Sequence, residues 1–483
     1  MASVRNLSTR QQGRRIVCAA AAGVCLALLQ GCMVGPDFLR PHMEVPQNWT
    51  GSAPAPEKQP AAPAELSLAR WWLIFNDPIL SGLIDEAVQS NLDLMQAEAR
   101  IRQARAALRG AVSFLGPTLD SSALARRSRT RGFVSGNKGD ISNQYQVGFD
   151  AAWEIDVFGG VRRNIEAADA DLAATVEARQ NVLISLSAEV ALNYIDLRSF
   201  QQRVSIARKN LATQSHSARL TRLRFEAGFV SGLDVATAEA QVATTASTVP
   251  LLESAAQQAI YNISILLGRD PAALLPELSP PGDIPEQPPA VPLGLPSDLL
   301  LRRPDIRQAE AQVHAATARI GVATADLFPR FTISGSAGLQ SSEFGSWLTW
   351  SNRFWSFGPT ASWNLFSSGR TLANIEQQRA VEEQTLIAYR QTVLTALQEV
   401  ENALIASTKE EEHRVELSRA VAYNTKAVDL ATRQYTQGLT DFLNVLDAQR
   451  SLFLTEDQLA ASTGTVLTNL VALYKALGGG WNE

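Results

Sequence analysis

The stretch Ile141-Ser-Asn-Gln-Tyr-Gln-Val-Gly-Phe-Asp-Ala-Ala-Trp-Glu-Ile-Asp-Val157 sets the reading of the whole chain. Its odd positions read Ile, Asn, Tyr, Val, Phe, Ala, Trp, Ile and Val; its even positions read Ser, Gln, Gln, Gly, Asp, Ala, Glu and Asp. Only Asn143 breaks the period of two that places apolar side chains on one face of a strand. A later segment repeats the pattern, with Trp355, Phe357, Pro359, Ala361, Trp363 and Leu365 alternating with Ser356, Gly358, Thr360, Ser362 and Asn364. Phe331 to Gln340 and, more weakly, Leu119 to Ala125 supply partners. The expected strands are therefore about 118–128, 141–157, 330–340 and 354–365. One such segment would fit the half-buried strand of a soluble sheet. Four, about ten residues long with aromatic ends, fit transmembrane β-barrel strands. Four strands cannot close a barrel, because the smallest single-chain barrels have eight and an open edge in lipid leaves backbone amides unsatisfied. The chain must therefore share its pore with further copies.

The surrounding sequence is helical. No Gly or Pro occurs from Val161 to Ala227 or from Arg370 to Gln437, runs of 67 and 68 residues rich in strong helix formers. A helix of that length extends about 100 Å. Apolar residues recur three and four apart, as in Leu183, Leu186, Val190, Tyr194 and Leu197, a stripe that must pack on neighbouring helices. Each run stops at a glycine, Gly228 or Gly438, and a return helix follows, about 233–267 and 442–477. Pro250 is expected to interrupt the first return helix, and a further helix precedes the strands near 83–112 and 298–325.

These elements are written twice. Phe225-Glu-Ala-Gly228 and Leu233-Asp-Val235 match Tyr435-Thr-Gln-Gly438 and Leu443-Asn-Val445 at a shift of 210 residues, as Asn164-Ile-Glu166 matches Asn374-Ile-Glu376. Upstream the shift is 212, carrying Asp93 onto Asp305 and Pro117 onto Pro329. The expected organisation is a first repeat at 70–270, a linker at 271–297 and a second repeat at 298–483. The segment Pro271 to Pro296 holds 9 of the 22 prolines and is expected to lack regular helix.

The amino terminus has the form of an export signal over residues 1–31. Arg5, Arg10, Arg14 and Arg15 precede the apolar run Ile16 to Leu29, which is too short to span a bilayer. It ends in Leu29-Gln-Gly-Cys32, a bacterial lipobox, so Cys32 is the expected site of a diacylglycerol thioether and an N-acyl group, and 32–69 form a lipid-anchored tether. Cys18 and Cys25 leave with the signal, so no mature thiol remains for catalysis. Removing four arginines takes the net charge from -5 to -9, which argues against nucleic acid as a partner.

The chain resembles the outer-membrane efflux proteins, the TolC/OprM-like channels, and in particular their lipoprotein branch serving RND pumps. The residues that carry the likeness are Cys32-Met-Val-Gly-Pro-Asp-Phe38, Trp71-Trp72, Arg302-Arg303-Pro304-Asp305-Ile306, Phe328-Pro329 and Leu446-Asp-Ala-Gln-Arg-Ser-Leu452. The resemblance implies a homotrimer, mainly α with a small membrane β part. Three chains would form a twelve-stranded barrel in the outer membrane, continued by a twelve-helix periplasmic α-barrel. It implies docking onto a periplasmic adaptor and an inner-membrane RND pump, with outer-membrane lipid as the only other partner and no cofactor beyond the lipid on Cys32. By position, Asp447 and Leu443 match a closing ring at the periplasmic end, with Asn444 where some relatives have a second Asp. Asp234 and Tyr435 match a latch between hairpins, and Thr440 stands where one relative has a latch Arg. Gly228-Phe229 and Gly438-Leu439 match the adaptor-contacting tips.

The function so implied is a passive exit duct for small molecules. The same architecture also serves type I protein secretion, and a lipid-anchored periplasmic scaffold without a pore would share the helices. An enzyme is disfavoured: His42, His216, His314 and His413 have no ligand spacing, and no Gly-rich phosphate loop or metal site is present in the sequence.

Overall fold

A computed structural model describes residues 33–50, 68–130, 140–286 and 296–481. The lipobox with Cys32, most of the tether and residues 287–295 of the linker lie outside the described residues. The chain forms two compact units. One contains the described residues up to His42, Arg100–Thr175 and Gln308–Tyr389; the other contains Met43–Ala99, Val176–Arg307 and Arg390–Glu483.

The first repeat contributes α1 (Pro78–Ser90), α2 (Leu92–Ser113), β1 (Thr118–Thr130), β2 (Asp140–Ile155), α3 (Gly160–Glu226) and α4 (Gly232–Leu266). Between the repeats lies the single turn α5 (Leu275–Leu278). The second repeat contributes α6 (Leu299–Arg302), α7 (Pro304–Ala325), β3 (Arg330–Ser341), β4 (Arg353–Ser362), α8 (Arg370–Thr436) and α9 (Phe442–Ala476). Both ends of α2 map onto α7 at the 212 shift, and both ends of α3 and α4 map onto α8 and α9 at the 210 shift.

Several expectations need correction. The helix expected at 83–112 is two helices broken at Asn91, which caps both: its N–H donates to the Ala87 carbonyl (2.9 Å) and its Oδ1 accepts from Leu94 N (3.0 Å), while its side-chain amide donates to the Leu266 carbonyl (2.8 Å). The helix expected at 298–325 likewise breaks at Arg303, because Pro304 disfavours helical geometry in the residue before it. Arg303 donates to the Ala476 carbonyl at 2.8 Å, the counterpart of the Asn91 bond. Pro250 lies inside a continuous α4 rather than interrupting it. Among the described linker residues α5 forms a helical turn, pinned by Gln201, whose Nε2 donates to the Leu278 carbonyl (2.7 Å). Strand β2 stops at Ile155 and β4 at Ser362, short of the expected 157 and 365.

In the first unit the strands form one antiparallel sheet in the order β1-β2-β3-β4. The central β2–β3 ladder joins the two repeats, pairing Trp153 with Ile333 and Phe149 with Ala337. The repeats also share a bond at the sheet's helix-joined end. Trp153 Nε1 donates to the Leu115 carbonyl (2.9 Å), and Trp363 Nε1 to the Leu327 carbonyl (3.0 Å). Phe149, Trp153, Trp355 and Phe357 are exposed.

In the second unit α4 runs back along α3, as Asn262–Asn193, Glu253–Arg208 and Glu239–Arg222 contacts require. Asn424 and Glu410 of α8 meet Thr455 and Ser462 of α9 in the same antiparallel sense. Helix α9 also lies along α3, through Asp457–Arg203 (2.8 Å), Glu456–Asn210 (2.6 Å) and Gln449–Ser217 (2.9 Å). The main core of this unit gathers Trp71, Trp72, Phe75, Tyr194, Ile260 and Tyr474. Trp71 stacks on Tyr474 at 5.5 Å and 12°. Tyr194 donates to Asp77 at 2.7 Å. Burial pushes the Tyr194 and Tyr474 hydroxyls up to about 12. Among the described residues no helix is long and apolar enough to cross a membrane.

Candidate functional site

The hairpin tips are built on helix stops. Gly228 and Gly438 have φ of 82° and 77°, a region that costs a side chain-bearing residue free energy. Gly228 N and Phe229 N donate back to the Phe225 and Arg224 carbonyls (2.9 and 2.8 Å); Gly438 N and Leu439 N donate to Tyr435 and Gln434 (3.0 and 2.9 Å). Both are Schellman motifs, in which the apolar residue after the glycine commonly folds back on the helix. Here Phe229 and Leu439 are instead 81% and 72% exposed.

Beneath the tips, Ala218, Ala238, Tyr435, Phe442, Val445 and Leu446 form a small core from four helices. That burial fixes the rotation of α9. Leu443, Asn444 and Asp447 lie on its opposite, exposed face, with Leu443 and Asp447 one turn apart. Asn444 Nδ2 donates to Thr440 Oγ1 at 2.7 Å, while the Asp447 carboxylate has no side-chain partner among the described residues. The three expected ring residues thus share one face.

The structure does not join Asp234 to Tyr435 within the chain. Asp234 closes a capping box: its Oδ2 accepts from Ser231 N (2.9 Å) and Oγ (2.8 Å), and its N–H donates to Ser231 Oγ (3.3 Å). Tyr435 is 5% exposed, and its hydroxyl is buried with no partner among the described residues. Its ring lies under the Arg224 guanidinium (4.3 Å), which also donates to the Tyr435 and Thr436 carbonyls (3.2 and 3.4 Å). Arg224 therefore ties the first hairpin to the second. Sequence reading missed it, although one signal was present: its repeat counterpart is Gln434, a departure from the duplication.

A second missed cluster holds an amino-terminal strap, the segment 34–38. Arg163, 1% exposed, donates to Asp37 (2.6 Å), Glu166 (2.8 Å) and the Val34 carbonyl (3.2 Å). Burial by itself would lower the Arg163 pKa; the two carboxylates outweigh it and raise the value. Glu166 also meets His314 Nε2 at 3.0 Å, and the His314 ring stacks on Phe38 at 4.4 Å. Gly35 (φ 92°) lies so close to Gly321 that a Cβ there would stand 2.4 Å from the Gly321 Cα. Among the described residues no cluster of His, Cys, Asp or Glu could hold a metal ion.

Comparison with known proteins places this geometry. The family described as outer membrane efflux protein matches residues 83–269 and 295–479. Nodulation protein T of Rhizobium leguminosarum bv. viciae is 34% identical over 468 residues, covering 95% of this chain and 93% of that protein. The toluene efflux pump outer membrane protein TtgF of Pseudomonas putida is 34% identical over 464 residues, covering 94% of this chain and 95% of that protein. The solved outer-membrane channel OprN superposes with a TM-score of 0.86 at 37% identity, covering 93% of this chain and all of that one.

Proposed function

We propose, from the premise that this chain belongs to the outer membrane efflux protein family, that three copies build one duct across the outer membrane and periplasm. The chain is an outer-membrane efflux channel protein, not an enzyme. The observation that carries the shared pore is the sheet, and the number three comes from the family likeness. The sheet has an apolar face, four strands, and edge strands β1 and β4 that pair with nothing else among the described residues. Three copies supply twelve strands, and lipid requires that every edge be paired.

In this duct small molecules enter from an inner-membrane RND-type pump through a periplasmic adaptor. The adaptor meets the exposed apolar tips at Gly228-Phe229 and Gly438-Leu439. The α9 face with Leu443, Asn444 and Asp447 turns to the axis, where three Asp447 carboxylates repel one another and attract cations. Asn444, already bonded to Thr440, adds polarity without charge. Asp234 and Tyr435 hold the closed tip indirectly. The capping box fixes the first turn, and the Arg224–Tyr435 clamp fixes the second hairpin against it. The Cys32 lipid anchors the strap at the outer membrane's inner leaflet.

The direct test combines chemical crosslinking of the purified full chain with planar-bilayer recording and co-purification with the cell's adaptor and pump. Trimers that conduct and co-purify are expected. A monomer without conductance, resembling a pore-less scaffold, would overturn the proposal.

A further inference from the structure

Residues of both charge signs lie at each rim of the sheet, with Arg330 opening β3 at the helix-joined end and Asp140 opening β2 at the other, but arginine is concentrated near the end of β1. Asp120, Asp150 and Glu154 lie toward the ends joined to helices. Arg126, Arg127 and Arg129 lie toward the other rim, where β4 begins with Arg353. All four arginines are exposed.

Ladder partners share a face, so the register assigns these charges to sides. Arg127 is opposite Asn143 and Arg129 opposite Ile141, on the face that carries Tyr145, Phe149 and Trp153. Arg353, in the row of Leu339 and Val147, projects from that same apolar face, with its guanidinium over the Trp350 ring at 5.4 Å. Arg126, opposite Gln144, projects from the other face.

Lengths then set depth. Ile155 to Tyr145 spans ten residue steps, about 34 Å along the strand, or about 26 Å across the bilayer at a tilt near 40°. That equals the roughly 25 Å apolar band of an outer-membrane barrel. Arg127 and Arg129 come two and four steps later, about 5 and 10 Å beyond the band. They stand on the lipid side, at headgroup depth, without a side-chain partner among the described residues. Arg353, in the row of Val147, falls within the band and is not part of this pair.

We propose that each copy binds the phosphate groups of a phosphorylated outer-leaflet glycolipid through Arg127 and Arg129. This rests on the outer-membrane duct reading above. Guanidinium forks match phosphate oxygens, and a pair of them fits dianionic phosphate monoesters better than a zwitterionic phospholipid.

Delipidated full-length protein in detergent, titrated with diphosphoryl lipid A and with its dephosphorylated form, tests this by native mass spectrometry. Wild type should retain the phosphorylated form selectively. The Arg127→Ala/Arg129→Ala variant should bind it about 10- to 30-fold more weakly, and Arg126→Ala should match wild type. Equal binding of both glycolipids by wild type, which needs no variant to fold, would overturn the proposal. So would undiminished binding in the double variant, or an equal loss on changing Arg126. Trimer mass and conductance measured on the same samples separate the two readings. Conducting trimers with phosphate-indifferent binding remove only the glycolipid site, whereas monomers that do not conduct remove the duct as well.

Discussion

The two copies share a frame and differ in what is mounted on it. The helix pairs α2/α7, α3/α8 and α4/α9 begin and end at equivalent positions, and the same indole-to-carbonyl bond recurs at Trp153 and Trp363. The same C-terminal carbonyl accepts from Asn91 in one copy and from Arg303 in the other. The tips diverge. The first copy has the Ser231–Asp234 capping box, whereas Asp441, which caps α9, makes no side-chain cap bond and Asn444 replaces the acid. Phe225 is exposed where its counterpart Tyr435 is buried. Asp447 corresponds to Thr237, and Arg163, which grips the strap, corresponds to Ala373. The two copies thus share a backbone frame, and the side chains that grip the strap and clamp the tip stand where the copies stop matching.

The strongest asymmetry is Arg163 against Ala373. Arg163→Ala leaves Glu166 without its guanidinium and the strap carbonyls without a donor. It should cost about 3 kcal/mol in denaturant unfolding, whereas Ala373→Gly on an exposed helix face should cost about 1 kcal/mol or less. Equal losses would erase the distinction. The carbonyl shared by both frames gives a smaller contrast. Arg303→Ala also strands Asp305 and Glu399, so it should destabilise by about 2–3 kcal/mol in the same assay, against about 1 kcal/mol for Asn91→Ala.

Tyr194 corresponds to Leu404, and Tyr474 to Ser264, so each tyrosine is private to one copy. Both hydroxyls are held up to about 12, above the ordinary value of 10. The unfolded chain therefore loses these protons first. Their contribution is intact below pH 10 and declines as pH rises from 10 to 12, by on the order of 2 kcal/mol per ring. A pH series of unfolding midpoints should show that decline, reduced in Tyr194→Phe. Smallest of all is Tyr435→Phe. Its hydroxyl has no partner among the described residues, so stability should move by less than about 0.5 kcal/mol, and a larger loss would reveal a bond to a neighbouring copy.

The frame was legible because it rests on periodicity. The dyad pattern of 141–157, the Gly- and Pro-free runs and the repeat shifts all follow from local backbone chemistry. The break at Asn91 was not legible, since its side chain bonds a carbonyl supplied by a return helix more than 170 residues away, whereas the break at Arg303 was written in Pro304 and overlooked. Leu443, Asn444 and Asp447 were found by likeness, and their common exposed face emerged only when the burial of Phe442, Val445 and Leu446 fixed the helix rotation. Arg224 and Arg163 were missed because a single arginine within a polar helix carries no pattern; only their mismatched repeat partners mark them.

The central claim is that the second copy alone lines the constriction of a shared duct. The sequence carries no cysteine after Cys32, so single cysteines can be placed at Asp447 and at its counterpart Thr237. Bilayer recordings with a charged thiol reagent should then show current through the Asp447→Cys channel falling sharply on modification, with Thr237→Cys unaffected. Equal block at both positions, or none at Asp447→Cys, would contradict the account.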